Sequence, residues 1–270
     1  MIDYMLSRFV SFFQNPSASG IYLAIAIGLA IAFGAVWLAG YRPPLFKKPW
    51  LWAVLVSSAF LTLAAISFIQ IPLQTWAGQA LNHFWSQEVL TRWILLAAIP
   101  SILLSGLVQE GSKLVPVVVY WRRSGKNIDP KLGLAIGAVA GAGFGIFEAQ
   151  YGLNDIFASG VTWEAVQSGG FMALIYSGFW ERFFTVAAHI AFSALAGYGL
   201  AKGWGWQFYL ITSVLHGLLN YSAILFYAGR LTILHAEIYI AVLAVLVTAW
   251  ALWLRWRKRA ATTEPEISSS

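Results

Sequence analysis

The chain of 270 residues contains no cysteine, so a disulfide framework and a thiolate metal centre are both excluded. It is also poor in charge. Only 10% of its residues are Asp, Glu, Lys or Arg, against about 25% in a typical soluble domain. So few charges cannot cover a water-facing surface, and the 59% hydrophobic content points to one integral membrane domain without a large soluble appendage. No small-residue cleavage site follows the first residues, so Met1–Gln14 does not read as a removed signal peptide. With Arg8 set among Phe9, Val10, Phe12 and Phe13, it suits a helix lying in the membrane interface. The net charge of +6 is dispersed between apolar runs, which argues against a nucleic-acid partner.

A membrane span needs about 20 apolar residues. Seven runs qualify: Gly20–Gly40, Trp50–Gln70, Trp93–Tyr120, Lys131–Leu153, Phe171–Ala201, Trp204–Tyr227 and Leu234–Trp256. The fold class expected is therefore all-α, a polytopic membrane protein in one domain over 1–259, with a polar, disordered tail over 260–270. The third and fifth runs are longer than a bilayer requires, so each is expected to tilt, kink or begin as a separate short helix. Pro100 and Pro116 are the kink points in the third.

The basic residues alternate. Arg42, Lys47 and Lys48 follow the first run, and Arg122, Arg123, Lys126 and Lys131 surround the loop after the third. Lys202 follows the fifth, and Arg255, Arg257, Lys258 and Arg259 follow the seventh. The other loops carry mainly Glu88, Asp155, Glu164 and Glu237, with His83, Arg92 and Arg230. By the positive-inside rule, the N-terminus is outside and the C-terminus cytoplasmic, in a multi-pass protein of the cell membrane.

Seven ionisable residues remain inside the runs: Glu110, Lys113, Glu148, Glu181, Arg182, His189 and His216. Each is costly in lipid and must face a partner, a cavity or the protein interior. Helical rise gives their depth. Glu110, His189 and His216 each lie roughly 18–19 Å from the cytoplasmic end of their runs, and Glu148 roughly 25 Å. Four groups from four runs thus reach the middle to outer half of the bilayer. Glu110 and Lys113 share a helix face, as do His216 and Asn220, and Arg182 and His189. Gly133, Gly137, Gly141 and Gly145 form a seam of small residues that lets a neighbouring helix approach and hold Glu148 against groups on it.

Two carboxylates and two imidazoles in a low-dielectric cavity are the parts needed to activate water. One Glu takes the proton of a water attacking an amide carbonyl, and His216 with Asn220 donates to the oxyanion. Alternatively Glu148, His189 and His216 hold Zn²⁺, with an open position for water and Glu110 as base. There is no HExxH to choose between these, and no GxSxG for a serine nucleophile.

Four segments resemble a known family. "QEGSK" (Gln109–Lys113) is similar to the EExxK motif of PrsW-type intramembrane proteases, and "GFGIFE" (Gly143–Glu148) to their FxxxE segment. "ERFFTVAAHIAFSALAGYG" (Glu181–Gly199) and "LHGLLNY" (Leu215–Tyr221) resemble the two later His-bearing helices. YhfC-type membrane proteases are similarly close. Both sit in the wider group of type II CAAX prenyl endopeptidases and bacteriocin-immunity membrane proteases. The resemblance covers about 105–225 and implies cleavage of a peptide bond in or near the membrane segment of a protein or membrane-associated peptide. It makes Glu110, Glu148, His189 and His216 the catalytic or metal-binding set, supported by Lys113, Arg182 and Asn220. Two departures stand out. Gln109 replaces the first Glu of EExxK, and Ala149 stands where Asn usually follows FxxxE.

Other functions use similar parts. A proton- or ion-coupled transporter also employs buried Glu/His relays, but inverted repeats and broken helix pairs in matching positions are lacking. A haem carrier with His189 and His216 as axial ligands is a third class.

Overall fold

The computed structural model describes residues 2–13 and 20–257, and among them it contains helices and no strand. The expected tail, Lys258 and Arg259 lie outside the described residues. The chain starts with α1 (Ile2–Ser11) and α2 (Gly20–Ala39), followed by α3 (Trp50–Ala65), which passes through a π-helical turn at Ile66–Gln70 into α4 (Ile71–Phe84). Short helices α5 (Gln87–Arg92) and α6 (Ile94–Ala97) lead to α7 (Ile99–Arg123) and α8 (Pro130–Ala158). Two more short ones, α9 (Trp163–Ser168) and α10 (Gly170–Tyr176), precede α11 (Phe179–Ala201), α12 (Gly205–Tyr227) and α13 (Ile233–Trp256). Seven helical stretches are long and apolar enough to cross a bilayer. The protein is an all-α, polytopic membrane protein.

The boundaries differ from the sequence expectation in two informative places. The second span does not stop at Gln70 but continues to Phe84. Gln70, Pro72 and Gln74 look like the end of an apolar run. Pro72, however, lies in the first turn of α4, directly after the π turn, where the Ile71 N–H reaches back to the Ile66 carbonyl. In a regular helix the proline ring would strike the carbonyl of Phe68; the wider turn relieves that and the helix carries on. The fifth span begins at Phe179 instead of Phe171, because Gly178 adopts φ +82° and separates α10 from α11. Only glycine enters that region without strain. The third run likewise begins as the separate α6, with Pro100 in the first turn of α7 and Pro116 inside it.

Helices α8 and α11 form the enclosed centre, and the glycine seam is the reason. A Cβ placed on Gly133, Gly137 or Gly141 would run into the carbonyl oxygens of Gly197, Ser193 and His189 respectively. At Gly145 it would meet His189 Cβ at 3.3 Å and Val186 Cα at 3.4 Å. The two backbones therefore approach along four turns, and the seam ends beside His189, one turn before Glu148. On the opposite face, Gly143 fits against the Leu55 carbonyl of α3. The start of α8 is fixed by Asp129, whose carboxylate accepts from the N–H groups of Lys131 and Leu132, followed by Pro130. An N-cap carboxylate and a proline at the first position suit a helix N-terminus.

One end of the bundle gathers several of the basic residues. Arg255 donates to the Tyr41 carbonyl and Trp256 to that of Gly40. Arg257 donates to the Tyr198 hydroxyl, and Lys131 to the Arg257 carbonyl. The ends of α2, α11 and α13 thus meet the start of α8 on one face. α1 has no buried residue. It and the residues just after it rest on the bundle through aromatic contacts, Phe9 on Phe68, Phe12 on Tyr151 and Phe13 on Phe147.

Candidate active site within the membrane

Each helix of the site presents its polar group where close packing directs it. On α7, Glu110 and Lys113 stand three residues apart, both wholly buried. The helix lies close to α12 because Gly106 fits against the Ser213 carbonyl, leaving no room for a side chain. That approach sets His216 of α12 beside Glu110, its Nδ1 2.7 Å from Glu110 Oε1. Lys113 Nζ is 2.5 Å from the same oxygen and 3.0 Å from His189 Nδ1 on α11. His189 Nε2 in turn lies 2.8 Å from Glu148 Oε2 on α8. The five side chains form one unbroken hydrogen-bonded path across four helices, in the order His216, Glu110, Lys113, His189, Glu148.

With Lys113 as an ammonium and both glutamates ionised, the contacts assign the tautomers. An ammonium can only donate and a carboxylate only accept. His189 therefore accepts from Lys113 at Nδ1 and donates from Nε2 to Glu148, while His216 donates from Nδ1 to Glu110. The two rings stand 5.2 Å apart, and Phe144 and Phe192 pack against them. Buried charges need such pairing, since an uncompensated one costs several kcal/mol.

The two glutamates are not equivalent. Glu110 is 0% exposed, and its second oxygen has no hydrogen-bond partner among the described residues. The side chain of Glu148 is 31% exposed. It lines a cavity of about 500 Å³ together with Phe12, Ile66, Gln109, Tyr151 and Arg182. Glu110, His189 and His216 each offer a donor atom, and these atoms lie within 4.8 Å of one another. The set expected from sequence has Glu148 with the two histidines. The set whose donors converge has Glu110 in that place, and Glu148 hydrogen-bonds to His189 alone among the described residues.

Once the Lys113 ammonium, which here holds both Glu110 Oε1 and His189 Nδ1, moves off that nitrogen, these three residues would fit a divalent ion. One carboxylate and two imidazoles, fully buried, are a donor set that zinc accepts, and Glu110 Oε2 is a buried oxygen still without a partner. The Glu148 carboxylate on His189 also matches the way a ligating imidazole is held by an acid on its other nitrogen.

The supporting residues are placed differently. Asn220 does not pair with His216; its Nδ2 donates to Ser105 Oγ at 3.1 Å. It lines a second cavity, about 390 Å³, with Thr185, Phe226 and Glu237. Arg182 borders both cavities and is paired with its neighbour Glu181. Glu237, expected in a loop, lies inside α13 and is 8% exposed, facing that second cavity. Thr232, whose hydroxyl accepts from the His235 N–H, caps α13 ahead of Glu237, close to the run expected from Leu234.

No curated protein and no solved structure matches the chain. A family model does: that of the PrsW family intramembrane metalloprotease, over residues 47–251. This covers α3 through most of α13, and with it every member of the buried path. The chain belongs to the PrsW family of intramembrane metalloproteases and is a membrane-embedded peptidase.

Proposed function

We propose that the chain hydrolyses a peptide bond at the cavity bordered by Glu148, with Glu148 as general base and Glu110, His189 and His216 as holders of a zinc-class ion. The observation that carries this is the unequal exposure of the two glutamates: of the five residues in the buried path, Glu148 is the one that opens onto a large cavity. The roles of Glu110 and Glu148 are then the reverse of those expected from sequence.

The ion, when bound, supplies a Lewis acid that acidifies water and polarises the scissile carbonyl. Glu148 takes the proton of the attacking water as the new C–O bond forms, then delivers it to the departing amide nitrogen as the C–N bond breaks. His189 keeps that carboxylate oriented through its Nε2–H. Lys113 offsets the negative charge collected on Glu110. The substrate is the membrane segment of another protein or a membrane-associated peptide.

Protein purified without a His-tag and reconstituted in liposomes, with a panel of single-span peptides and products read by mass spectrometry, tests the reading. About one metal ion per chain is expected, with turnover lost to a strong chelator and restored by zinc. Full turnover in metal-free protein would remove the ion and leave Glu148 acting with the histidines alone.

The charge distribution supports a cell-membrane protein with its C-terminus cytoplasmic. Gly125, at φ +66°, is a poor place for a reporter, whereas Asn127 lies exposed in the same loop. With no native cysteine, Asn127→Cys is expected to resist an impermeant thiol reagent in intact cells and Ser159→Cys to react. The opposite pattern would invert the orientation.

A further inference from the structure

Gln109 has both amide hydrogens engaged and its oxygen free. Its Nε2 donates to Gln70 Oε1 at 3.1 Å and to Ser105 Oγ at 3.2 Å, while Oε1 has no hydrogen-bond partner among the described residues. The residue is only 6% exposed and lines the cavity that reaches Glu148. A buried amide oxygen without a partner carries a desolvation cost. Its orientation is no accident of a loose side chain. Gln70 Nε2 donates onward to Gln74 Oε1 at 3.4 Å, and Gln74 Nε2 to the Ser101 carbonyl at 2.8 Å. Three amides are thus aligned head to tail, each donation polarising the next, and the chain ends at Gln109 Oε1. The π turn puts Gln70 where it can hold Gln109.

We propose that Gln109 Oε1 is a substrate-positioning acceptor that takes a backbone N–H of an extended peptide lying in this cavity. The inference rests on the protease reading above and specifies the form in which substrate is bound. A helical membrane segment satisfies its own N–H groups and shields its carbonyls, so a peptide bond becomes open to attack only where the helix unwinds. Each N–H released there needs an acceptor or costs several kcal/mol. The acids of the cavity already have side-chain partners, Glu148 in His189, Glu181 in Arg182 and Asp155 in Tyr151. Gln109 offers a neutral acceptor, fixed in place, that adds no second negative charge near Glu148. This gives a purpose to the departure from EExxK at Gln109.

The test uses the full chain in liposomes and the fastest-cleaved peptide of the panel, resynthesised with single amide-to-ester replacements on either side of the cut. An ester deletes one N–H and leaves the side chains intact. One position is expected to cost the wild type about tenfold in kcat/KM, the loss of one buried hydrogen bond. Gln109→Met is expected to lose about as much on the all-amide peptide and nothing further at that ester position, because the two changes remove the same bond. A flat ester scan on wild-type protein, or losses that multiply in Gln109→Met, overturns the proposal. The scan on wild type needs no variant to fold. If the wild type cleaves no peptide in the panel, the protease reading fails and the inference falls with it. If it cleaves, but the scan is flat, only the role of Gln109 is lost.

Discussion

Glu148→Gln should lower peptide cleavage by at least about a thousandfold while the protein remains folded. The size follows from what is removed. A positioned acid–base group contributes about 10²–10⁴ in rate, and here one carboxylate both receives the water's proton and passes it to the leaving nitrogen. Stability should scarcely change, because the side chain is 31% exposed and the Gln oxygen can still accept from His189 Nε2. His189→Ala and His216→Ala should be as inactive for a different reason, each removing a proposed ligand of the ion together with its hydrogen bonds in the path. Turnover and a denaturant melt, measured on the same preparations, separate the cases. If any two of the three variants kept near-normal turnover with the fold intact, the four-helix site would be wrong.

Lys113→Met should be the most destabilising single change in the site. Glu110 and Lys113 are both 0% exposed, and Lys113 Nζ is the cation closest to the Glu110 carboxylate. Removing one partner of a buried pair leaves the other charge uncompensated, at about 3–5 kcal/mol. That is a large share of a stability of about 5–15 kcal/mol. The loss also breaks the path at its midpoint, since among the described residues Lys113 alone connects Glu110 to His189. Adding Glu110→Gln in the same chain should recover most of the stability, because the charge that lost its partner is then gone. The recovered protein should stay inactive. Denaturant unfolding in detergent measures both: additive losses in the double variant would show that the two residues are not coupled.

The sequence makes the environment and the parts of the site readable, for a physical reason. Transferring charge into lipid is so costly that the few ionisable residues within apolar runs mark the interior without any structure. Depth along the membrane normal was readable too, from helical rise alone. It set four groups from four spans at comparable depth, Glu148 at roughly 25 Å from its helix end and the other three at roughly 18–19 Å. Those three are the ones whose donor atoms converge. What rise cannot give is the rotation of each helix about its own axis, and that rotation decides whether Glu110 or Glu148 stands between the histidines. Asn220 shows the same limit. It shares a face with His216, yet its partner is Ser105 on α7. The glycine seam was legible as a packing surface because small residues repeated every fourth position leave few other uses. Its partner was not, since any helix with small residues could have filled the groove. Gln70 and Gln74 were missed altogether: polar residues beside a proline read as the end of a span, and only the π turn allows the helix to pass them.

That π turn has a bearing on how relatives should be compared. An i→i+5 turn holds about one residue more than a regular one, and one residue is about 100° of helix rotation. Everything outward of Gln70 in the second span therefore faces a direction that extrapolation from Trp50–Ala65 would not give. A homologue whose second span is a regular helix would need a one-residue gap opened within Ile66–Gln70 to keep equivalent faces in register. Paired without that gap, the two chains would agree up to Ala65 and then match cavity-lining positions of one with lipid-facing positions of the other.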